Sequence, residues 1–192
     1  LWAYGGDLWG NVWRFDLSKA TPTVLKLAEL KAATGKPQSV TTYPEITTTS
    51  NNTVRLVYFG TGRYLGARDL PDPATLTPAL PYAYGQSVYG IKDTTDTATV
   101  GYGNFRALSD VVQQVLTTDT SGTVRTITSN PVDFNNDKGW YIDFPLDGER
   151  VVINPKLVKG TLSITTNIPL PLCATGPGES WEYELSYKSG SY

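Results

Sequence analysis

Residues 139–169, GWYIDFPLDGERVVINPKLVKGTLSITTNIP, constrain the fold more than any other stretch. Trp140, Ile142 and Phe144 alternate with Tyr141 and Asp143, the two-residue period of a strand with one buried face. Asp147-Gly148 readily takes the positive φ angles of a tight turn. Val151 and Ile153 then fall on one face, with Val152 and Asn154 on the other. Pro155 lacks the N–H a ladder needs and suits a strand end or an edge. Lys159-Gly160 signals a second turn, after which Leu162 and Ile164 alternate with Thr161, Ser163 and Thr165. The pattern predicts three consecutive strands in an antiparallel meander, the unit of all-β domains.

Most of the chain repeats that grammar. Residues 1–17 predict an aromatic-rich hairpin: Trp2 and Tyr4 share a face, and Trp13, Phe15 and Leu17 lie opposite Val12, Arg14 and Asp16. Glycine at fixed places in such hairpins is typical of propeller blades. Residues 20–34 read either as a mild helix or as a strand with a turn, ended by Gly35-Lys36-Pro37. Strands are expected up to Pro44 from residue 38, over residues 54–59 and 86–92, and over the alternating Trp181, Tyr183, Leu185 and Tyr187. The glycines of Gly60-Thr61-Gly62-Arg63-Tyr64-Leu65 leave Arg63 and Tyr64 either packed on a neighbouring blade or offered for recognition. Four prolines mark residues 69–84 as a long surface loop, and residues 93–103 as another. One helix is expected, near 105–116. Leu108, Val111, Val112, Val115 and Leu116 follow helical spacing, and Asn104 is placed to cap it. Residues 117–128 read as a hairpin through Ser121-Gly122.

Composition narrows the chemistry. The 192 residues include no His and carry a net charge of −2, so the commonest general base and metal ligand is missing and no basic surface invites nucleic acid. No apolar run approaches the length of about 18 residues that spans a bilayer. No signal peptide is read at Leu1, and the strand-like first residues suggest a chain cut from something longer. Asp133, Asn135 and Asp137 place oxygens at positions one, three and five of a turn, as a calcium loop does. The glycine of that turn comes one place late, and position twelve is Phe144 instead of a bidentate Glu, so a plain polar turn is the competing reading. Cys173 sits alone in a Pro/Gly-rich loop. It reads either as an inert small hydrophobe or as half of a disulfide whose partner lies outside this sequence. Asn51-Asn52-Thr53 matches a glycosylation sequon that is too short to carry weight. The carboxylates Asp143, Asp147, Glu149, Glu182 and Glu184 fall mostly on expected outward faces or turns, and no activated nucleophile or acid–base pair stands out.

Several stretches together resemble the C-terminal region of the PilY family, the tip-associated adhesins of type IV pili. They are YGGDLWGNVWRFDL (4–17), VYFGTGRYLG (57–66), QSVYGIKD (86–93), GWYIDFPLDGERVVINP (139–155), TTNIP (165–169), and Cys173 followed by GESWEYEL (178–185). They run in family order and cover most of the chain; residues 69–84 and 93–135 add nothing. The resemblance implies a modified β-propeller on an exported, pilus-associated protein of a Gram-negative bacterium, carried through the periplasm to the pilus tip at the cell surface. It implies minor pilins and host-cell or abiotic surfaces as partners. The implied roles are pilus assembly, twitching motility, adhesion and virulence, without catalysis. It also implies calcium regulation, through an Asp/Asn-rich loop preceding the strand that matches residues 1–4, so those ligands are not carried over. No Arg-Gly-Asp tripeptide is present. At about 40–45 residues per blade the chain is too short for a whole propeller. Residues 1–192 are therefore expected to be one domain, the C-terminal portion of a larger propeller, with loop insertions near 69–85 and 93–104. A fragment of a quinoprotein-type propeller enzyme and a purely structural domain are the alternatives.

Overall fold

The computed structural model describes residues 1–49, 54–70, 85–93, 100–170 and 178–192. Three antiparallel-rich sheets stack face to face. The first is β1 (Trp2–Gly6), β2 (Asn11–Asp16) and β3 (Thr23–Glu29), in sequence order. The central sheet holds β4 (Glu45–Thr48), β5 (Arg55–Gly60), β6 (Ser87–Asp93), β7 (Val111–Gln114) and β10 (Gly139–Asp143), in the order β4-β5-β6-β10-β7. The third is β11 (Lys156–Val158), β12 (Thr161–Ile168) and β13 (Glu179–Ser186). A two-stranded hairpin, β8 (Leu116–Thr118) with β9 (Arg125–Ile127), stands apart from the ladders.

Strict alternation on the central strands builds two cores from one sheet. Val57, Phe59, Tyr89, Ile91 and Tyr141 face Val12, Leu27 and Ala28 of the first sheet. Leu56, Tyr58, Val88, Trp140 and Ile142 face Leu162, Ile164, Tyr183 and Leu185 of the third. A sheet covered on both faces reads as a near-continuous apolar run, which is what LVYF and GWYI are. This stacking of successive sheets is the packing of neighbouring propeller blades, and the fold is an all-β, partial, modified propeller.

The indole of Trp140 is fully buried between two glycines. A Cβ on Gly90 would lie 2.5 Å from its Cε2, and one on Gly190 2.5 Å from its Cε3. Both approaches are open only to glycine. The Lys159-Gly160 turn joins β11 to β12 as expected, with φ of 50° and 88°.

Three expectations are corrected. There is no helix at 105–116: a single 3₁₀ turn covers Phe105–Ala107, and the chain then extends as β7, parallel to β10. Val111 packs into one core and Val112 and Leu116 into the other. A strand whose neighbouring valines pack, half-buried, into opposite cores loses its two-residue period and, over a few positions, imitates a helix; the β-branched valines favour the strand. The 139–169 meander is also broken. β10 pairs with β6 and β7, not with residues 149–153. Gly148 does take φ 79°, but the turn carries the chain across to the third sheet, where Arg150 bridges Asn167. Residues 38–44 form no strand, because their backbone bonds are scattered: the Gln38 N–H donates to Leu30 O and the Val40 N–H to Asp7 O. The ambiguous 20–34 stretch resolves as β3.

Candidate functional site

The shared motifs prove to be architectural. In YGGDLWGN, Asp7 accepts hydrogen bonds from the Trp9 and Asn11 backbone N–H groups, the Asn11 side-chain amide and the Trp13 indole, at 2.8–3.0 Å. Burial works to raise its carboxyl pKa, but these donors together hold it below the usual range. On β2 the buried face carries two charged residues, Arg14 and Asp16, beside the core residue Val12, and Arg14 pairs with the buried Asp93 of β6 at 2.7 Å. The Arg150 side chain, expected in a hairpin, is 1% exposed. It donates to the carbonyls of Arg63 and Asp69 at 2.8 and 2.7 Å, tying GTGRYLG to DGERV. Arg63 pairs with Asp69, while Tyr64 stays exposed.

Asp133, Asn135 and Asp137 lie on one exposed turn, and the turn is bonded to itself. Asp133 Oδ1 accepts from the Asn135 backbone N–H at 2.9 Å and its side-chain amide at 2.8 Å, and Oδ2 from the Asn136 amide at 2.8 Å. Asp137 Oδ2 accepts from the Asp133 N–H at 2.7 Å. The Asn135 N–H, helped by the side-chain amides and by Lys92, holds the Asp133 carboxyl below its usual pKa. The Lys92 ammonium donates to the Phe134 carbonyl of the same turn. A cation there would have to draw the carboxylates away from these donors. Among the described residues no three His, Cys, Asp or Glu side chains are grouped to hold a metal ion. Cys173, the Asn51-Asn52-Thr53 sequon and residues 71–84 lie outside the described residues.

A second cluster of buried charge was not legible in the sequence. Glu149, expected on a turn, is 1% exposed. Its Oε1 accepts from Arg125 Nη1 at 2.7 Å, the Tyr183 hydroxyl at 2.8 Å and Thr166 Oγ1 at 2.7 Å. Arg125 stacks on Trp181, its Cζ 3.8 Å from the ring centroid. Glu149 Oε2 and Arg125 Nε and Nη2 have no hydrogen-bond partner, a costly arrangement for buried polar atoms. Beside them a cavity of about 120 Å³ is lined by Arg125, Leu116, Ile127, Tyr192 and β13 residues from Trp181 to Leu185. A more open groove of about 400 Å³ lies at the other end of β13, between Tyr64, Ile153, Leu170 and Glu179. The signal for the cluster is faint: Glu149 follows an Asp-Gly turn, and Arg125 follows a polar loop.

No family model matches the chain. The type IV pilus biogenesis factor PilY1 homolog of Xylella fastidiosa is 31% identical over 209 residues, covering 97% of this chain and 13% of its own length. The type IV pilus biogenesis factor PilY1 of Pseudomonas aeruginosa is 27% identical over 224 residues, covering 98% of this chain and 19% of its own. The chain thus spans a small fraction of these curated relatives. The crystal structure of the Pseudomonas aeruginosa PilY1 C-terminal domain matches with a TM-score of 0.76 at 25% identity, over 99% of this chain and 44% of that one. By sequence and by fold, the chain belongs to the PilY family and corresponds to part of its C-terminal region.

Proposed function

We propose that this chain is a non-enzymatic binding and assembly module of a type IV pilus biogenesis protein. The observation that carries the reading is the match to PilY1 over nearly the whole chain, in fold as well as in sequence. The buried polar groups point the same way. Arg14, Asp93, Arg125, Glu149 and Arg150 bond to one another or to loop carbonyls, as groups that hold a scaffold do. The proposed setting is the cell surface at the pilus tip, with minor pilins and a host-cell or abiotic surface as partners. Pilus assembly, twitching motility and adhesion are the proposed roles.

The direct test is in-frame removal of this chain from its parent protein, with surface pili counted by electron microscopy and twitching zones measured on agar. The reading expects both to fall while the remainder of the parent accumulates normally; undiminished piliation refutes it. Calcium dependence belongs to the same proposal, with Asp133, Asn135 and Asp137 as ligands on this chain. Calorimetric titration beside an Asp133→Ala, Asp137→Ala double variant checks it. Uptake that vanishes in the variant supports these ligands, and uptake absent from the chain, or retained by the variant, excludes them.

A further inference from the structure

The Tyr64 side chain is 48% exposed, yet the turn that carries it is braced on every side. The Arg63 guanidinium donates to Asp69 Oδ1 from Nε and Nη2 at 3.0 and 2.9 Å, and the Leu65 N–H donates to Asp69 Oδ2 at 2.7 Å. Arg150 Nη1 holds the carbonyls of Arg63 and Asp69. The backbone of the same Arg150 exchanges two hydrogen bonds with Asn167 of β12, at 3.0 and 2.8 Å. One buried residue thus fixes the turn of Tyr64 relative to Asn167. Both line the groove of about 400 Å³, and sites for small molecules commonly measure about 300–1,000 Å³. Holding an exposed aromatic ring this firmly is what a preorganised binding surface requires.

The lining decides what the groove suits. Ile153, Ile168 and Leu170 give it apolar walls beside the Tyr64 ring, and Asn167, Glu179 and Ser180 give it polar groups. Asn167 Nδ2 donates to Ser180 Oγ at 3.0 Å, which leaves the Ser180 hydroxyl proton to be donated elsewhere. Asn167 Oδ1 is a buried acceptor with no hydrogen-bond partner, a cost that a ligand donor would relieve. Glu179 is exposed, offers two acceptor oxygens, and carries the only formal charge among the lining residues. A purely apolar ligand would leave these groups unmatched. An anion would meet Glu179 with no cation in the lining. An ammonium only donates and would not use the Ser180 proton. A neutral saccharide matches the whole set: it has an apolar C–H face to lay on an aromatic ring, and hydroxyls that both donate and accept.

We propose that this groove is a binding site for a neutral saccharide. The sugar's apolar face would lie on the Tyr64 ring, and its hydroxyls would donate to Asn167 Oδ1 and Glu179 and accept from Ser180. This goes beyond the assignment to pilus biogenesis. It is tested on the chain by itself, so its failure would leave that assignment standing.

The test is binding of the fluorescently labelled chain to an array of immobilised neutral and acidic glycans, followed by NMR titration with the saccharide bound most strongly. The chain should bind a neutral saccharide, with amide shifts centred on Tyr64, Ile153, Asn167, Glu179 and Ser180. Tyr64→Ala should lose about tenfold or more in affinity, whereas Tyr64→Phe, which keeps the ring face, should stay within about threefold of the parent. Glu179→Ala should also lose about tenfold, the weight of hydrogen bonds to a charged group. Tyr64 and Glu179 are exposed, so all three variants should keep the parent's urea midpoint. The proposal is overturned if no arrayed glycan binds, if binding is confined to acidic glycans, if Tyr64→Ala leaves affinity unchanged, or if the shifts map away from the groove. Larger shifts at the groove from N-acetyl-lysine methylamide than from the saccharide at equal concentration overturn it as well, and assign the groove to a basic side chain.

Discussion

The Arg125–Glu149 pair allows the sharpest stability experiment. The two side chains are 3% and 0% exposed, and Oε1 collects three donors within 2.8 Å. Glu149→Met leaves a buried guanidinium with no counter-charge and frees the hydroxyls of Tyr183 and Thr166. Removing one member of such a pair costs about 3–5 kcal/mol, a large part of the roughly 5–15 kcal/mol that holds a domain folded. With a urea slope of about 2 kcal/mol per molar, the unfolding midpoint should drop by about 2 M. Replacing both residues, Arg125→Met with Glu149→Met, removes the stranded charge along with its partner. The double variant should therefore recover most of the loss, because apolar pairs of similar volume often substitute for buried ion pairs with little net change. Equilibrium urea unfolding of the four proteins gives the coupling directly. A single-variant cost below about 1 kcal/mol, the value of an exposed pair, would refute the reasoning, and so would a double variant whose cost is the sum of the two singles.

Other consequences are as direct. Gly190→Ala brings a Cβ to 2.5 Å from the Trp140 ring at a φ of 71°, and should cost about 2 kcal/mol or more in urea unfolding. Arg150→Leu removes the donor that holds the carbonyls of Arg63 and Asp69, so the Leu65 amide, bonded to Asp69, should exchange faster than in the parent chain. Hydrogen bonding from Lys26 and Lys31 lowers the Glu29 carboxyl to about 2, and its donors hold Asp7 below the usual range. Folded values below the unfolded ones, about 4.3 and 3.9, mean stability that is complete above those values and lost as pH falls through the folded ones. The melting temperature should therefore be level above about pH 5 and decline below about pH 4, less steeply in Asp7→Asn.

Where one face of a strand is buried, the sequence was readable. The 1–17 hairpin, the 117–128 hairpin, the Lys159-Gly160 turn and the strands β12 and β13 all appear where the local pattern placed them. Where apolar side chains pack on both faces, alternation disappears, and β7 was read as part of a helix. Partner choice is non-local: residues 139–153 carry the pattern of a hairpin, yet β10 pairs with β6 and β7 across long sequence separations. The candidate site fared worse for the same reason. Arg125, Glu149, Thr166 and Tyr183 come from separate parts of the chain and meet only in the folded molecule. Glu149 looked like a solvated turn residue because nothing local distinguishes a buried carboxylate from an exposed one. The family resemblance was legible because its glycines, aspartates and tryptophans make close, sequence-specific contacts, as Gly90 does against Trp140.

The central claim is that this chain does in its parent what the matching part does in PilY1. Exchanging that part of Pseudomonas aeruginosa PilY1 for this chain, and counting surface pili, tests it most directly. A functional counterpart should restore piliation above that of cells whose PilY1 lacks the region. A chimera that accumulates normally, yet leaves the cells no more piliated than the deletion, would contradict the account.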